Sequence, residues 1–278
     1  MNMAKKGNRR KTGKEQYYTL PETADACVKD MLKIVGTNHM FLEPCGGEGS
    51  FIEALINNGV WKEDILSFDI EPKHELVKKQ NFLELPSWEL PFGLITITNP
   101  PFGRANSLAK KFFNKAAEVS DYIGFIVPRS WRKWSVHNSL DKYFYLIEDK
   151  DLPTVCFYST SGKEYSNENL RCVFQIWERR GERRPKITVK DHGLIEKTTF
   201  AKADIEMVIF GWGCGKVIRD FDRKKKTTSI YLKVKNEEVI KALEQIDFSQ
   251  FSENVAYTQA LSLKEINYLL NKHFDLEQ

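Results

Sequence analysis

The sequence lacks the cysteine patterns of a disulfide framework or a zinc site. Its cysteines are few, odd in number and scattered, with no CxxC pair. They are Cys27, Cys45, Cys156, Cys172 and Cys214. This usage is typical of a protein in a reducing compartment and predicts no metal centre.

The sequence also lacks any apolar run as long as a membrane span, and its basic N-terminus has no apolar core of a signal peptide. We therefore expect a cytoplasmic protein without a membrane partner. No His–Asp pair or activated cysteine stands out, so acid–base or nucleophilic catalysis is not the chemistry that the sequence suggests.

Neither basic nor acidic residues are in large excess overall, but the basic residues are concentrated in a few segments. The net charge is only +4, yet residues 1–14 contain six Lys or Arg and no acid, which predicts a disordered basic tail. Further basic clusters lie at Arg179–Arg180, Arg183–Arg184 and Arg223–Lys226. These clusters are either solvated surface or contacts for nucleic-acid phosphates.

Neither GxGxxG nor the phosphate-binding GxxxxGK[ST] is present, but a different glycine-rich turn is. A short apolar strand at Met40–Leu42 runs into Glu-Pro-Cys-Gly-Gly-Glu-Gly at Glu43–Gly49, and an amphipathic helix follows to about Asn58. Strand, glycine turn and helix open a doubly wound α/β domain. An acid at the strand end suits an ammonium group, so a small adenosyl ligand fits better than a phosphate. A turn without a ligand is the alternative.

Two further strand ends carry polar groups. The strand Ile65–Phe68 ends at Asp69, about twenty residues past the turn, where an acid binds ribose hydroxyls. The strand Phe92–Ile97 must stop at Asn99, because the two prolines after it cannot continue a ladder. This gives the motif Asn99-Pro100-Pro101-Phe102 at the carboxyl end of a strand.

This corner suits a weakly nucleophilic amine. Asn99 Oδ1 and the Pro100 carbonyl are two acceptors that could hold both N–H groups of the amine, and Phe102 offers a flat face for a base. The alternative is a proline-terminated strand with an aromatic plug.

The remaining pattern predicts the other elements. We expect a helix from Pro21 to about Lys33 with Thr19 at or near its N-cap, a helix at Ser107–Val119 and a strand at Tyr122–Val127. Later strands are predicted at Leu152–Tyr158 and at Leu170–Trp177, the latter as an antiparallel addition at the sheet edge.

The chain after Arg179–Arg184, a charged candidate linker, loses the strand–helix rhythm. It predicts strands at 205–219 and 229–235 and helices at 236–247 and 262–273, the last with a capping box at Ser262–Glu265. The predicted fold class is a Rossmann-like doubly wound α/β sheet over residues 15–180, followed by a smaller α+β domain over residues 185–278.

The landmarks together resemble the class I S-adenosylmethionine-dependent methyltransferases, and more narrowly the gamma-order adenine-N6 DNA methyltransferases. The resemblance rests on Tyr17–Pro21, Glu43–Phe51, Asp69, Asn81-Phe82 and Asn99–Phe102 in that order. It implies an S-adenosylmethionine site formed by Tyr18, Thr19, Glu43, Cys45, Gly46, Gly49, Asp69, Asn81, Phe82 and Asn99. Many relatives have Asp where this chain has Asn81, whose amide oxygen could accept the same bond.

Within that site the resemblance assigns roles. Glu43 would meet the amino group of methionine, Asp69 the ribose and Phe82 the cofactor's adenine. Catalysis would fall to Asn99, Pro100, Pro101 and Phe102. Phe102 would stack on the target base, and Phe157 is the best match for a second aromatic on its far side, although a strand aromatic is more often core.

The resemblance implies methylation of adenine N6 in DNA after base flipping, with residues 185–278 for target recognition and double-stranded DNA as the partner. Adenine in RNA or a glutamine amide in a protein are alternative substrates, since similar corners serve all three. A non-catalytic, methyltransferase-like subunit is the third alternative.

Overall fold

The computed structural model describes residues 18–158, 164–165 and 170–278, so the predicted basic tail lies outside the described residues. The chain divides into two compact units. Residues up to Pro128 and Ser139–Arg184 form the first, while Arg129–Asn138 and Pro185–Gln278 form the second. The second unit therefore takes in a stretch, Arg129–Asn138, that the sequence analysis places in the N-terminal domain.

The first unit contains ten strands and three α-helices in the described residues. The strands are β1 (Tyr18–Thr19), β2 (Phe41–Glu43), β3 (Ile65–Asp69), β4 (Lys78–Lys79), β5 (Leu94–Thr98), β6 (Ser120–Pro128), β7 (Phe144–Asp151), β8 (Phe157–Tyr158), β9 (Glu164–Tyr165) and β10 (Cys172–Arg179). The helices are α1 (Pro21–Val35), α2 (Ser50–Asn57) and α3 (Ser107–Ala116). Short 3₁₀ helices lie at Lys62–Asp64, Phe82–Glu84, Ser87–Glu89 and Arg104–Asn106.

Seven strands form one mixed sheet in the order β4-β3-β2-β5-β6-β10-β7. Strands β2 to β6 run parallel to one another, whereas β10 is antiparallel to both β6 and β7. Every residue of β5 is buried, as expected for a central parallel strand. The strand order reverses between β2 and β5, and this is where such sheets bind ligands. The predicted Rossmann-like doubly wound sheet is confirmed.

The edge of this sheet differs from the prediction. Strand β10 lies between β6 and β7, so the edge strand is β7 and not the segment Leu170–Trp177. Strand β7 was not predicted, because its second half is the charged run Glu148–Asp151, which is typical of an exposed edge. The predicted strand Leu152–Tyr158 is reduced to β8.

The start of α1 is also different. Its N-cap residue is Leu20, with no side-chain capping bond, and Pro21 occupies the first turn as predicted. Thr19 is not the cap, because it belongs to β1 and pairs with Phe157 of β8. Strands β1, β8 and β9 form a separate three-stranded sheet.

The second unit is α+β, as predicted. Its elements are α4 (Trp134–His137), β11 (Ile195–Lys197), β12 (Ile205–Val208), β13 (Val217–Ile218), β14 (Ser229–Val234), α5 (Glu237–Gln245), α6 (Ser249–Ser252) and α7 (Leu263–His273). The sheet order is β11-β14-β12-β13, with antiparallel neighbours throughout. The capping box of Ser262 and Glu265 at α7 is confirmed.

One face of this four-stranded sheet carries the core. Ile205 and Met207 of β12 and Leu232 of β14 pack in one cluster with apolar residues of α5 and α7. The predicted strand 205–219 is wrong in its middle. There the chain leaves the sheet in a loop between β12 and β13, at glycines with positive φ that a strand does not accommodate.

The stretch Arg129–Asn138 is held inside the second unit by a buried ion pair. Lys133 Nζ lies 2.9 and 3.0 Å from the two carboxylate oxygens of Glu265 and 2.9 Å from the Ala260 carbonyl oxygen. Next to it, the Trp134 ring contacts the rings of Phe251 and Tyr268. Within residues 18–158 and 170–278, no helix is long and apolar enough to cross a bilayer.

Candidate active site

A cavity of about 490 Å³ lies at the carboxyl ends of β2, β3 and β5. This volume is within the range of small-molecule sites, and the position is the one that the strand order favours. Twelve of the predicted site residues line it: Tyr18, Thr19, Glu43, Cys45, Gly46, Asp69, Asn81, Phe82, Asn99, Pro100, Pro101 and Phe102. The fold thus brings the glycine-rich turn and the Asn-Pro-Pro-Phe corner, more than fifty residues apart in sequence, into one cavity.

The glycine-rich turn lies close against its neighbours. A Cβ on Gly46 would come within 2.3 Å of Ser67 Oγ and 2.8 Å of a Val77 methyl carbon, so no side chain fits there. Gly47 has a φ of +49° and lies beside the Tyr18 ring. Packing against Ser67 and Val77 thus explains the need for glycine at position 46, and both glycines line the cavity.

Glu43 is a buried carboxyl at the end of β2. It is 1% exposed, and its Oε1 accepts hydrogen bonds from the Cys45 amide, at 2.9 Å, and from the Thr98 hydroxyl. Burial raises the pKa of Glu43 to about 8, and the two hydrogen bonds oppose this only in part. The carboxyl is thus poised to lose its proton when a cation binds beside it.

Both carboxylate oxygens of Asp69 accept hydrogen bonds from backbone amides. Oδ2 accepts from the Gly47 amide at 3.0 Å, and Oδ1 accepts from the Glu71 amide at 2.7 Å. The side chain therefore ties the end of β3 to the glycine-rich turn. Each oxygen has a second lone pair, so it can still accept a hydroxyl donor from a ligand.

Asn81 and Phe82 start the 3₁₀ helix Phe82–Glu84. Asn81 Oδ1 accepts from the Leu83 amide at 3.2 Å and acts as the N-cap. The Phe82 ring is 1% exposed and stacks on Phe112 of α3, with the ring centroids 5.8 Å apart. Phe82 is thus a fixed apolar wall of the cavity.

The Asn-Pro-Pro-Phe corner follows β5 directly. Asn99 is half-buried, and Phe102 is 7% exposed. The Phe102 carbonyl accepts from the amides of Leu108 and Ala109 in α3, which fixes the far side of the corner. After it come three residues with positive φ, Gly103, Ala105 and Asn106. Two of these are not glycine, a form of backbone strain that clusters at functional sites.

Tyr18 and Thr19 bring the N-terminal strand to the cavity. The Thr19 carbonyl accepts from Ser50 Oγ at 2.8 Å, and the Tyr18 ring has Lys73 Nζ 4.4 Å from its centre. Lys73 also pairs with Glu48 of the turn at 2.9 Å. These contacts attach β1 to the glycine-rich turn and to the start of α2.

Two predicted residues do not line the cavity. Gly49 has a φ of +86° at the N-cap of α2, and a Cβ there would lie 2.4 Å from the His74 ring. Its need for glycine is therefore explained by packing and backbone conformation. Phe157 is 2% exposed in β8, opposite Thr19, as expected for a core aromatic.

Sequence reasoning missed several groups at the site. Thr98 lies one residue before the motif and donates to Glu43. Glu48 accepts from Tyr158 OH at 2.6 Å, in addition to its pair with Lys73. Phe112, Leu108 and Arg104 line the cavity from α3 and the loop before it. Only the position of Thr98, at the tip of a buried strand, was a usable signal. The others depend on tertiary contacts.

Comparison with known proteins places this chain near others of similar fold. A candidate RNA methyltransferase from Pyrococcus horikoshii is 16% identical, over 62% of this chain and 91% of its own, with a TM-score of 0.47. A Thermoplasma acidophilum protein is 18% identical, over 58% and 90%, with a TM-score of 0.43. A modification subunit of a candidate type I restriction enzyme from Vibrio vulnificus is 16% identical, over 59% and 44%, with a TM-score of 0.41.

No family model matches the sequence, and no curated protein matches it. At identities and scores this low, the structural likenesses assign no activity or substrate to the chain.

Proposed function

We propose that this protein is an S-adenosylmethionine-dependent methyltransferase that modifies the N6 amine of adenine in DNA. One observation carries the proposal. The acid at the end of β2, the glycine-rich turn and the Asn-Pro-Pro-Phe corner line the same cavity. A cationic adenosyl ligand and an aromatic amine would meet between these groups.

The hydrogen-bond acceptors that line the cavity suit S-adenosylmethionine. Glu43 is a buried acceptor suited to the methionine ammonium, and Asp69 has lone pairs free for ribose hydroxyls. Gly46 and Gly47 line the same cavity, where the backbone of the turn can approach the ligand. When bound, the cofactor supplies an electrophilic methyl group on a sulfonium.

The protein's own contribution is to bind and orient the amine. The Asn99 side-chain oxygen and the Pro100 carbonyl accept the two N–H groups, which makes the nitrogen more tetrahedral and its lone pair available. In-line approach and exclusion of water matter more here than a general base. Phe102, with Pro101 before it, forms the apolar side of the amine pocket.

DNA is the substrate we favour, with the base flipped out of the duplex. Residues 185–278 follow the full set of catalytic landmarks, and we assign them target recognition. Because the second unit also contains Arg129–Asn138, a chain cut near Arg184 would leave Trp134 and Lys133 without the residues that bury them. Recognition is therefore better tested by point substitutions than by truncation.

The test is transfer of labelled methyl from S-adenosylmethionine to DNA, RNA and protein in parallel reactions, followed by nucleoside analysis. We expect N6-methyladenine in the DNA reaction, and loss of the signal in Asn99→Ala. Label in RNA or on glutamine instead would reassign the substrate. No transfer to any of the three, with cofactor binding intact, would support a non-catalytic subunit.

A further inference from the structure

The basic run Arg223–Lys226 in the second unit does not act as one patch. The guanidinium of Arg223 donates to three backbone carbonyls, those of Phe200, Ala201 and Ala203, at 3.1 to 3.2 Å. All three bonds come from Nη1, which therefore serves the protein's own backbone. Arg223 is thus an anchor for the segment before β12.

Lys226 is a second anchor. Its ammonium lies 3.0 and 2.9 Å from the two oxygens of Glu206, which is 1% exposed. Ser229 Oγ donates to the same carboxylate. This bonding raises the pKa of Lys226 and neutralises a buried acid. The side chain is committed to the sheet and not to a partner.

The two lysines between these anchors are presented to solvent. The Tyr231 hydroxyl accepts from the Lys226 amide at 3.0 Å and donates to the Lys224 carbonyl at 2.5 Å. The backbone is therefore fixed on both sides of Lys225. Lys224 and Lys225 are exposed, and within the described part of the chain neither ammonium group forms an ion pair or hydrogen bond.

A fully exposed tryptophan lies on a neighbouring loop. Trp212 is 100% exposed, between Gly211 and Gly213, which both have positive φ. The loop is nevertheless ordered by backbone bonds, including Gly211 to the Gln259 carbonyl at 2.9 Å and Lys216 to the Gly213 carbonyl at 2.9 Å. A single exposed aromatic is common on protein surfaces, so Trp212 is informative only through the groups beside it.

The two loops are joined. The amides of Ile209 and Phe210, just before Trp212, both donate to the Thr228 carbonyl, at 2.8 and 3.1 Å. Thr228 ends the basic loop at the start of β14. The exposed indole and the two exposed lysines therefore belong to adjoining loops of one sheet. An aromatic platform with flexible cations is the combination that binds nucleic-acid strands.

We propose that Trp212, Lys224 and Lys225 form a DNA-contacting surface of the second unit. The lysines neutralise backbone phosphates, and the indole stacks on an accessible base. Arg223 and Lys226 hold the loop in place without contacting DNA. This deepens the proposed function and rests on it only for the choice of DNA as substrate.

The test is the affinity of the full chain for a fluorescently labelled DNA duplex that carries one unpaired base, across a range of NaCl concentrations and without cofactor. Two neutralised phosphates account for a slope of about 1.8 in log K against log salt, so Lys224→Ala with Lys225→Ala should flatten the slope by about that amount. Lys233→Ala with Lys241→Ala removes the same charge from exposed lysines of β14 and α5 and should leave the slope unchanged. Equal flattening by both pairs overturns the proposal.

The indole has its own matched control. Trp212→Ala should weaken binding about 5- to 150-fold at constant salt slope, which corresponds to one stacked base. Trp88→Ala, at an 82% exposed tryptophan of the first unit, should not. If Trp212→Ala binds DNA like the parent, the indole does not contact DNA and the proposal fails.

The anchors give the opposite pattern. Arg223→Ala and Lys226→Ala should lower the melting temperature and keep the parental salt slope. A reduced slope in either variant, in protein that is still folded, contradicts the division into anchors and contacts. Methyl transfer is measured separately, so a chain that binds DNA with this pattern but transfers no methyl refutes the proposed function alone.

Discussion

The hydroxyl of Thr98 donates a hydrogen bond to Oε1 of Glu43. The two residues end β5 and β2, neighbouring parallel strands on either side of the point where the strand order reverses. The Cys45 amide donates to the same oxygen. Among the described residues both bonds to this carboxyl end on Oε1, which leaves Oε2 for a ligand. Burial of the group raises its pKa to about 8.

We predict that S-adenosylmethionine binding below pH 8 releases a proton from Glu43. The free carboxyl is largely protonated there, while an ammonium beside it favours the carboxylate. Affinity should therefore rise as pH increases toward 8, before the ligand's own amine, with an ordinary pKa of about 8, loses its charge. Titration calorimetry in two buffers of different ionisation enthalpy measures the released proton.

Glu43→Gln is the matched control, because it keeps the shape of the side chain and cannot titrate. It should bind more weakly and abolish the Glu43 share of proton release. Thr98→Val removes one donor to the carboxylate, so it should shift the pH dependence upward. Identical proton release in the parent and in Glu43→Gln would remove Glu43 from the ammonium site.

Much of the first unit was predictable from sequence because its signals are local. Three apolar runs end close to Glu43, Asp69 and Asn99. The first end is marked by the glycine-rich turn, the second by the acid itself and the third by two prolines. The fold then needs only parallel pairing to bring these tips together. The same local logic failed for β7, whose charged edge sequence resembles a loop, and for Gly49, whose glycine requirement comes from His74.

The second half was less predictable because its groups act through distant partners. The basic run Arg223–Lys226 is uniform in sequence, yet two of its members bind carbonyls of residues 200–203 and the buried Glu206. The membership of Lys133 in the second unit depends on Glu265, more than one hundred residues away. No spacing pattern contains that information.

Asp69→Ala should weaken S-adenosylmethionine binding by about 1–3 kcal/mol, since it removes charge-assisted acceptors for the ribose. It also releases the Gly47 amide, which Asp69 holds at 3.0 Å. Calorimetry with a cofactor analogue that lacks the ribose 2′-hydroxyl separates the two effects. The parent should discriminate between the two ligands and Asp69→Ala should not. Discrimination that survives in the variant would mean that Asp69 only supports the turn.

Glu265→Ala should destabilise the second unit by about 3–5 kcal/mol, because it leaves Lys133 partly buried without its counter-charge. Ser262→Ala is the comparison, since it removes the capping bond at α7 and keeps the ion pair. We expect that variant to lose about 1 kcal/mol. Chemical unfolding followed by tryptophan fluorescence measures both. Equal losses would mean that Glu265 acts only through the helix cap.

The role of Asn99 in holding the target amine can be tested by substitution. Asn99→Ala should lower the single-turnover rate of adenine methylation on the order of a hundredfold, with little change in DNA or cofactor affinity. The reason is that the Asn99 oxygen meets an N–H group that becomes more acidic as the nitrogen gains positive charge, so its contribution is greatest in the transition state. Phe102→Ala should instead weaken capture of the flipped base by about 1–3 kcal/mol of stacking. Asn99→Asp keeps an acceptor at the same position and should lose less rate than Asn99→Ala. If Asn99→Ala methylates at the parental rate, the corner serves only to end β5 and start α3, and the adenine-N6 assignment is wrong.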